Sequence, residues 1–187
     1  MALIVVDVQE GLDDPAWGRR NNPGAEQKIS TLLASWRGAG LPVFHVRHLS
    51  KEPGSPLRPG QSGCEVKEAA RPLPGEPVIE KSVNSAFIGT DLEARLRELD
   101  LDSLVITGLT TDHCVSTTVR MAGNLGFDTY LVSDATATFD RIGPDGAHYD
   151  AEHVHEMALL NLHEEFATIV TTADLLERQD RVEAIPR

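Results

Sequence analysis

Three residues of the kinds that carry nucleophilic and acid–base chemistry follow short apolar runs in this 187-residue sequence. Asp7 ends the first run, Lys81 ends the third, and Cys114 follows the fourth after a short turn. A cysteine thiolate is a strong nucleophile, a carboxylate can take and return its proton, and a nearby ammonium favours the thiolate. If the runs are parallel strands, their carboxyl ends bring the three side chains to one edge of a sheet. The combination predicts a cysteine hydrolase centre.

Cys114 lies where a helix is predicted to begin, near Asp112. If Thr111 caps this helix, Cys114 is its third residue, where the helix dipole and the free N–H groups favour a thiolate. Lys81 would lower the pKa of the thiol further, while Asp7 could accept the thiol proton and return it to a leaving amine. The N–H of Cys114 would be one donor of an oxyanion hole.

Each of the three residues also has an ordinary structural explanation. A buried cysteine commonly packs as a small hydrophobic residue. Asp7 could bond to neighbouring N–H groups at the end of a strand, and Lys81 could be a solvated charge. It is the coincidence of all three at the ends of predicted strands that favours catalysis.

The elements that must position these residues alternate along the chain. The predicted strands are Ala2–Val6, Pro42–Val46, Pro77–Glu80, Leu104–Thr107, Phe127–Val132 and Thr168–Val170. The predicted helices are a stripe at 29–36 that ends at Gly38–Gly40, a helix with the capping box Thr90 and Glu93, one over 112–125, and one over 154–162. Nearly continuous apolar strands alternating with helices predict an α/β fold, a doubly wound six-stranded parallel sheet with helices on both faces, as one domain over residues 1–187.

The stretch from Leu49 to Pro77 breaks this alternation because it is rich in proline, glycine and serine. We predict a long loop there, with one short helix around Val66–Ala70. Loops of this length within a compact domain are usually functional or disordered.

Composition excludes several classes of function. The formal net charge of −12 argues against a nucleic-acid or anionic-membrane binder. No apolar run approaches the roughly 20 residues that span a bilayer, and the first run lacks the features of a signal peptide. The two cysteines, Cys64 and Cys114, do not make a disulfide framework, so a reduced, cytoplasmic protein is expected.

Three segments carry the candidate residues: Asp7-Val8-Gln9, Glu80-Lys81 with Ser85-Ala86-Phe87, and Gly108-Leu109-Thr110-Thr111-Asp112-His113-Cys114-Val115. Together they resemble the isochorismatase-like cysteine hydrolases, the superfamily of nicotinamidase and N-carbamoylsarcosine amidohydrolase. It implies a catalytic triad of Asp7, Lys81 and Cys114. It also implies a cis peptide bond at Leu109–Thr110 and an oxyanion hole made by the amides of Thr110 and Cys114.

The resemblance further implies what the protein acts on. The expected substrate is a small molecule whose amide, lactam or ureido C–N bond is cleaved through a thioester, without a cofactor. The expected assembly is a homodimer or a larger homo-oligomer, with no nucleic-acid or membrane partner.

Two departures from relatives within the superfamily sharpen this interpretation. The isochorismatases proper lack the nucleophilic cysteine, so Cys114 argues against vinyl-ether hydrolysis. Nicotinamidases carry an Asp-x-His metal motif after the second strand, where this chain has His45-Val46-Arg47-His48. His45 and His48 are three apart on a strand and face opposite sides, so no metal site is predicted.

Candidate substrate-binding residues come from the predicted loops and from the segment after Lys81. They are Trp17, Arg19, His48, Arg58 and Phe87. A solvated surface position, or a core position for Phe87, is the alternative for each. Two other functions stay open: a redox or sensing role for Cys114, with Cys64 as a distant partner, and a catalytically silent binding protein of the same superfamily.

Overall fold

The computed structural model describes residues 1–183, and the side chains of residues 1–177. Its strands are β1 Ala2–Val6, β2 Val43–His48, β3 Val78–Lys81, β4 Ser103–Leu109, β5 Asp128–Ala137, β6 Arg141–Ile142, β7 His148–Tyr149 and β8 Thr168–Val170. Its α-helices are α1 Ala25–Gly38, α2 Leu92–Glu98, α3 Ser116–Asn124, α4 Ala151–Leu160 and α5 Thr172–Glu183.

Six strands form one parallel sheet in the order β3-β2-β1-β4-β5-β8, which confirms the predicted fold class. The chain moves outward in one direction from β1 to β3 and then in the other from β4. Crevices that bind ligands in such sheets open at the carboxyl ends of the strands where the order reverses. In this sheet the reversal falls between β1 and β4. The small hairpin β6–β7 stands apart from the sheet.

Alternate residues of β1 belong to two different hydrophobic cores. Leu3 and Val5 pack in the core that contains the buried face of α1, with Ile29 and Trp36. Residues on the other face, among them Ile4, pack in the core that contains α2 and α3. Because both faces of the sheet are covered, its central strands carry nearly uninterrupted apolar residues.

Only part of the predicted capping box at Thr90 and Glu93 is present. Helix α2 begins at Leu92 after Asp91, whose side chain caps no N–H of the helix but accepts from Nε of Arg95. The hydroxyl of Thr90 accepts from the N–H of Leu92 at 3.4 Å, as a capping residue does, and donates to the carbonyl of Ala86.

The long loop is ordered around a buried glutamine. It contains two short 3₁₀ turns, Ser62–Cys64 and Glu68–Ala70, the second of which lies within the predicted short helix. Gln9 is fully buried. Its side chain donates to the carbonyls of His48 and Cys64 and accepts from the N–H of His48. One side chain therefore ties the loop to the carboxyl ends of β1 and β2.

No helix within residues 1–183 is both long enough and apolar enough to cross a bilayer.

Candidate active site

Lys81, Asp7 and Cys114 meet at the carboxyl edge of the sheet. The Nζ atom of Lys81 lies 2.5 Å from Oδ2 of Asp7 and 3.3 Å from Sγ of Cys114. Asp7 is 1% exposed and Lys81 is 3% exposed, whereas Cys114 is partly exposed. The predicted cluster of three groups is therefore present as a largely dehydrated ion pair beside a thiol that solvent can reach.

The chain geometry at the end of β1 depends on one close backbone approach. Asp7 has a positive φ of 51°, which turns its side chain away from the strand direction. Gly108 of β4 is the register partner of Val6, and a Cβ at Gly108 would lie 1.9 Å from the Val6 carbonyl oxygen. Its φ is 119°. Only glycine allows β4 to pass so close beside Asp7.

The turn that carries Cys114 differs in detail from the predicted helix start. The helix begins at Thr111 after Thr110, its first five residues form a turn of π-helix, and Cys114 is the fourth residue rather than the third. The Leu109–Thr110 peptide bond is cis, as the family resemblance implies. Buried Thr111 hydrogen-bonds through Oγ1 to Nδ1 of His155 at 2.9 Å, so α4 holds the start of the turn.

The pKa of the Cys114 thiol is raised, contrary to the prediction of a lowered pKa. Burial raises it to about 12, and the neighbouring Asp7 charge raises it too, which together outweigh the lowering by Lys81. Sequence spacing predicted the influence of Lys81 correctly but could not include the dehydration of the sulfur.

The two oxygens of Asp7 have different surroundings. Oδ2 is held by Lys81, while Oδ1 is buried and has no hydrogen-bond partner among the described residues. Burial raises the pKa of Asp7 despite the adjacent ammonium. A dehydrated carboxylate with one unoccupied oxygen is a stronger base than a solvated one.

His48 is a fourth member of this cluster. It is the last residue of β2, between β1 and β3, and its Nδ1 lies 3.1 Å from Nζ of Lys81. Burial, followed by the Lys81 charge, lowers the pKa of His48. A neutral ring whose Nδ1 accepts from Lys81 fits this environment. The structure thus places His48 against Lys81 as well as in the cavity wall.

A cavity of about 570 Å³ opens over Cys114 and Asp7. Its apolar wall comprises Leu12, Ala16, Trp17, Pro56, Leu57 and Leu109. Trp17 is fixed in this wall because its indole N–H donates to the Gly11 carbonyl and its ring stacks on Phe139. The wall includes residues of the long loop between 50 and 57, so this loop closes one side of the site.

Three of the predicted substrate-binding residues lie outside the cavity wall. Arg19 pairs with Glu152 and Asp140 at the surface. Arg58 is exposed on the long loop, and Phe87 packs on Phe127 in the core below the sheet edge. Proximity in sequence to the first strand or to Lys81 could not show which way these side chains turn.

Asn84 and Arg141 are among the polar residues of the wall that the sequence did not reveal. The thiol of Cys114 lies 3.7 Å from Oδ1 of Asn84, three residues after Lys81. Arg141 reaches the cavity from β6 and pairs with Asp112 of the turn that carries Cys114. The position of Asn84 just after Lys81 was an available signal. No such signal marked Arg141 in the sequence, because the β6–β7 hairpin brings this residue to the cavity.

The cluster also contains a possible set of metal ligands. Ligand atoms of Asp7, His48 and Cys114 lie within 4.8 Å of one another. The Lys81 ammonium, however, contacts all three, so a metal ion there would have to displace it. His45 points elsewhere and bonds to Glu76.

We therefore expect the purified protein to hold well below one equivalent of zinc or iron by elemental analysis. Treatment with 1,10-phenanthroline should leave the rate of Cys114 alkylation by iodoacetamide unchanged. A stoichiometric metal whose removal speeds alkylation would contradict this prediction.

The second cysteine faces a different part of the molecule. Both cysteines are free, and the Cys64 thiol donates to the carbonyl of Arg58. Cys64 lines a separate depression with Arg47 and Leu49, while Cys114 lines the main cavity. The two thiols are not in contact with each other, so the structure gives no support for a redox pair of Cys64 and Cys114.

Comparison with known proteins identifies the family. Residues 1–174 match the isochorismatase domain. An isochorismatase family protein of Bacillus subtilis is 51% identical over 94% of this chain and 94% of its own length. A solved isochorismatase-family structure from Chromobacterium violaceum superposes with a TM-score of 0.93 at 47% identity, covering 96% of this chain and 93% of that one.

Two more distant relatives have named activities. Nicotinamidase 3 of Arabidopsis thaliana is 30% identical over 90% of this chain and 83% of its own length. A ureidoacrylate amidohydrolase of Caulobacter vibrioides is 28% identical over 92% of this chain and 68% of its own length. The domain match over nearly the whole chain and the shared fold show that this protein belongs to the isochorismatase family.

Proposed function

We propose that the protein is a cysteine amidohydrolase that cleaves the C–N bond of a small amide, lactam or ureido compound. One observation carries the proposal: a buried ammonium touches both a carboxylate and a thiol at the wall of a cavity large enough for a small molecule. The names of the two distant relatives, a nicotinamidase and an amidohydrolase, support the same class of reaction.

The first half of the reaction forms a thioester. As Sγ of Cys114 bonds to the carbonyl carbon, its proton passes to Asp7, for which the unpartnered Oδ1 is available. The carbonyl π electrons move onto oxygen, and we assign the N–H groups of Thr110 and Cys114 as donors to that oxyanion. Asp7 then protonates the leaving nitrogen and the C–N bond breaks, so that ammonia or an amine departs from an open-chain substrate, whereas a lactam ring opens to a tethered amino group.

The second half releases the acid. A water molecule attacks the thioester carbon while Asp7 takes its proton, and the C–S bond breaks as that proton returns to the sulfur. Lys81 holds Asp7 throughout. The high resting pKa of the thiol suits this sequence, because the proton leaves only when the substrate carbon is in place.

The test is formation of ammonia or of a free amino group from a panel of small primary amides, lactams and ureido compounds. Wild-type protein should form one of these products from at least one compound, and mass spectrometry should detect an acyl group on Cys114. Cys114→Ser is the matched control, because it keeps the volume of the side chain but ionises far less readily. Equal release by both proteins would contradict the proposal.

A further inference from the structure

The guanidinium of Arg141 is held rigidly against the turn that carries the nucleophile. Its Nε atom lies 2.9 Å from Oδ2 of Asp112, and its Nη2 lies 3.2 Å from Oδ1. The hydroxyl of Thr138 donates to the same carboxylate. Burial alone would raise the pKa of Asp112, but the bonds from Arg141 and Thr138 lower it, so this carboxylate stays charged and orients the arginine.

Arg141 also reaches the catalytic cavity. It lines that cavity together with Cys114 and Asp7, and with Asp112 it borders a separate surface depression. Among the contacts of the described residues, Nη1 makes no hydrogen bond. A planar cation held on one edge by a carboxylate, at the wall of a cavity and with free N–H donors, can recognise a second carboxylate.

No other charged group of the described cavity wall is as well placed as Arg141 to bind a carboxylate. The charge of Asp7 is balanced by Lys81. Glu52 is exposed on the long loop and adds a negative charge to the wall, and His113 is about half exposed beside Asp112. Within the described wall, Arg141 is therefore the permanent cation that is not committed to the nucleophile cluster.

We propose that Arg141 binds a carboxylate of the substrate, so that the preferred substrate is a small acidic amide with a carboxylate away from the scissile bond. The amide part of this statement rests on the proposed function, whereas the carboxylate subsite does not. The apolar wall around Trp17 and Leu57 would contact the carbon chain between the two groups.

Protection of Cys114 from iodoacetamide tests the subsite without requiring turnover. The probes are succinamic acid and glutaramic acid, compared with butyramide and valeramide, which have the same lengths but no carboxylate. We expect at least one acid to protect at about tenfold lower concentration than its uncharged counterpart, the gain typical of one charge-assisted hydrogen bond. Equal protection by acid and neutral amides of both lengths would overturn the proposal.

Substitutions assign the preference to Arg141. Arg141→Gln should remove the advantage of the acids while butyramide still protects. Arg141→Lys should keep part of the advantage, since a point charge replaces the planar fork. Glu52→Gln is the matched control in the same wall, and it should preserve or enlarge the advantage. An advantage that survives in Arg141→Gln, or that disappears in Glu52→Gln, would overturn the assignment.

Ammonia release from the same four compounds separates the two proposals. If the acids protect through Arg141 but no compound in the wider panel is hydrolysed, the subsite stands and the hydrolase proposal fails. If butyramide and succinamic acid are hydrolysed at equal rates and Arg141→Gln changes neither rate, the hydrolase proposal stands and the subsite fails.

Discussion

Replacing Asp7 with Asn is expected to abolish turnover and, at the same time, to make Cys114 more reactive toward alkylation. Turnover should fall by about four orders of magnitude, the scale on which catalytic triads fail when the proton-transfer residue is lost. Alkylation should speed up because the Asp7 charge helps to raise the pKa of the thiol, and its removal leaves the Lys81 ammonium beside the sulfur. The two effects have opposite signs in a single variant.

Two rates are measured: formation of ammonia or amine from the best substrate, and labelling by iodoacetamide between pH 7 and 10. In the wild type, labelling of Cys114 should still be rising at pH 10, since burial raises the pKa of its thiol to about 12. In Asp7→Asn the rise should come at lower pH. Cys64 is the internal control, and circular dichroism reports folding. An Asp7→Asn protein that is folded and keeps near wild-type turnover would refute the proton-transfer role.

Replacing Lys81 with Ala is expected to destabilise the folded protein by about 3–5 kcal/mol, because it leaves a buried carboxylate without its counter-ion. A solvated strand-end lysine, the structural alternative given above, would have only a small effect. The structure excludes that alternative, since Lys81 is 3% exposed and contacts Asp7, His48 and Cys114. Turnover should also fall by orders of magnitude, because Asp7 and the sulfur lose their shared partner.

The loss of stability should depend on pH in a defined direction. Burial already raises the pKa of Asp7 above its ordinary value, and without Lys81 the pKa should rise further. A carboxyl with a raised folded-state pKa binds more protons when folded, so stability falls as pH rises from the unfolded toward the folded pKa. Lys81→Ala should therefore be less destabilised at pH 5 than at pH 8.

Urea unfolding at the two pH values measures this difference. Adding Asp7→Asn to Lys81→Ala should recover part of the lost stability, because the buried charge is removed as well. Lys51→Ala, at an exposed lysine, is the matched control and should change stability by less than about 0.5 kcal/mol. A Lys81→Ala loss as small as that of Lys51→Ala at both pH values would show that the ion pair is not buried in solution.

Short-range patterns determined the fold and the position of the central cluster. Apolar runs such as Ala2–Val6 can be buried on both faces only in a covered parallel sheet, so their alternation with helices predicted the architecture. Because such strands end at one edge, the residues that follow them are brought together whatever the loops do. That geometric constraint made the meeting of Asp7, Lys81 and Cys114 predictable.

The electrostatic state of the cluster was decided only by the tertiary structure. A thiol pKa depends on how much water the fold removes from the sulfur and on which charges are enclosed with it, and neither quantity is local in sequence. For the same reason the sequence could not show that Lys81 is buried or that His48 contacts it.

The composition of the cavity wall also depended on tertiary contacts. Arg19 and Arg58 lie on loops that were expected to approach the site, yet one pairs with Glu152 and the other is exposed at the surface. Arg141, from a two-stranded hairpin without a strong sequence pattern, reaches the cavity instead. Loop side chains find their partners through long-range contacts, so the sequence by itself determined the sheet edge and the cluster of Asp7, Lys81 and Cys114 there, and the tertiary structure decided what surrounds them.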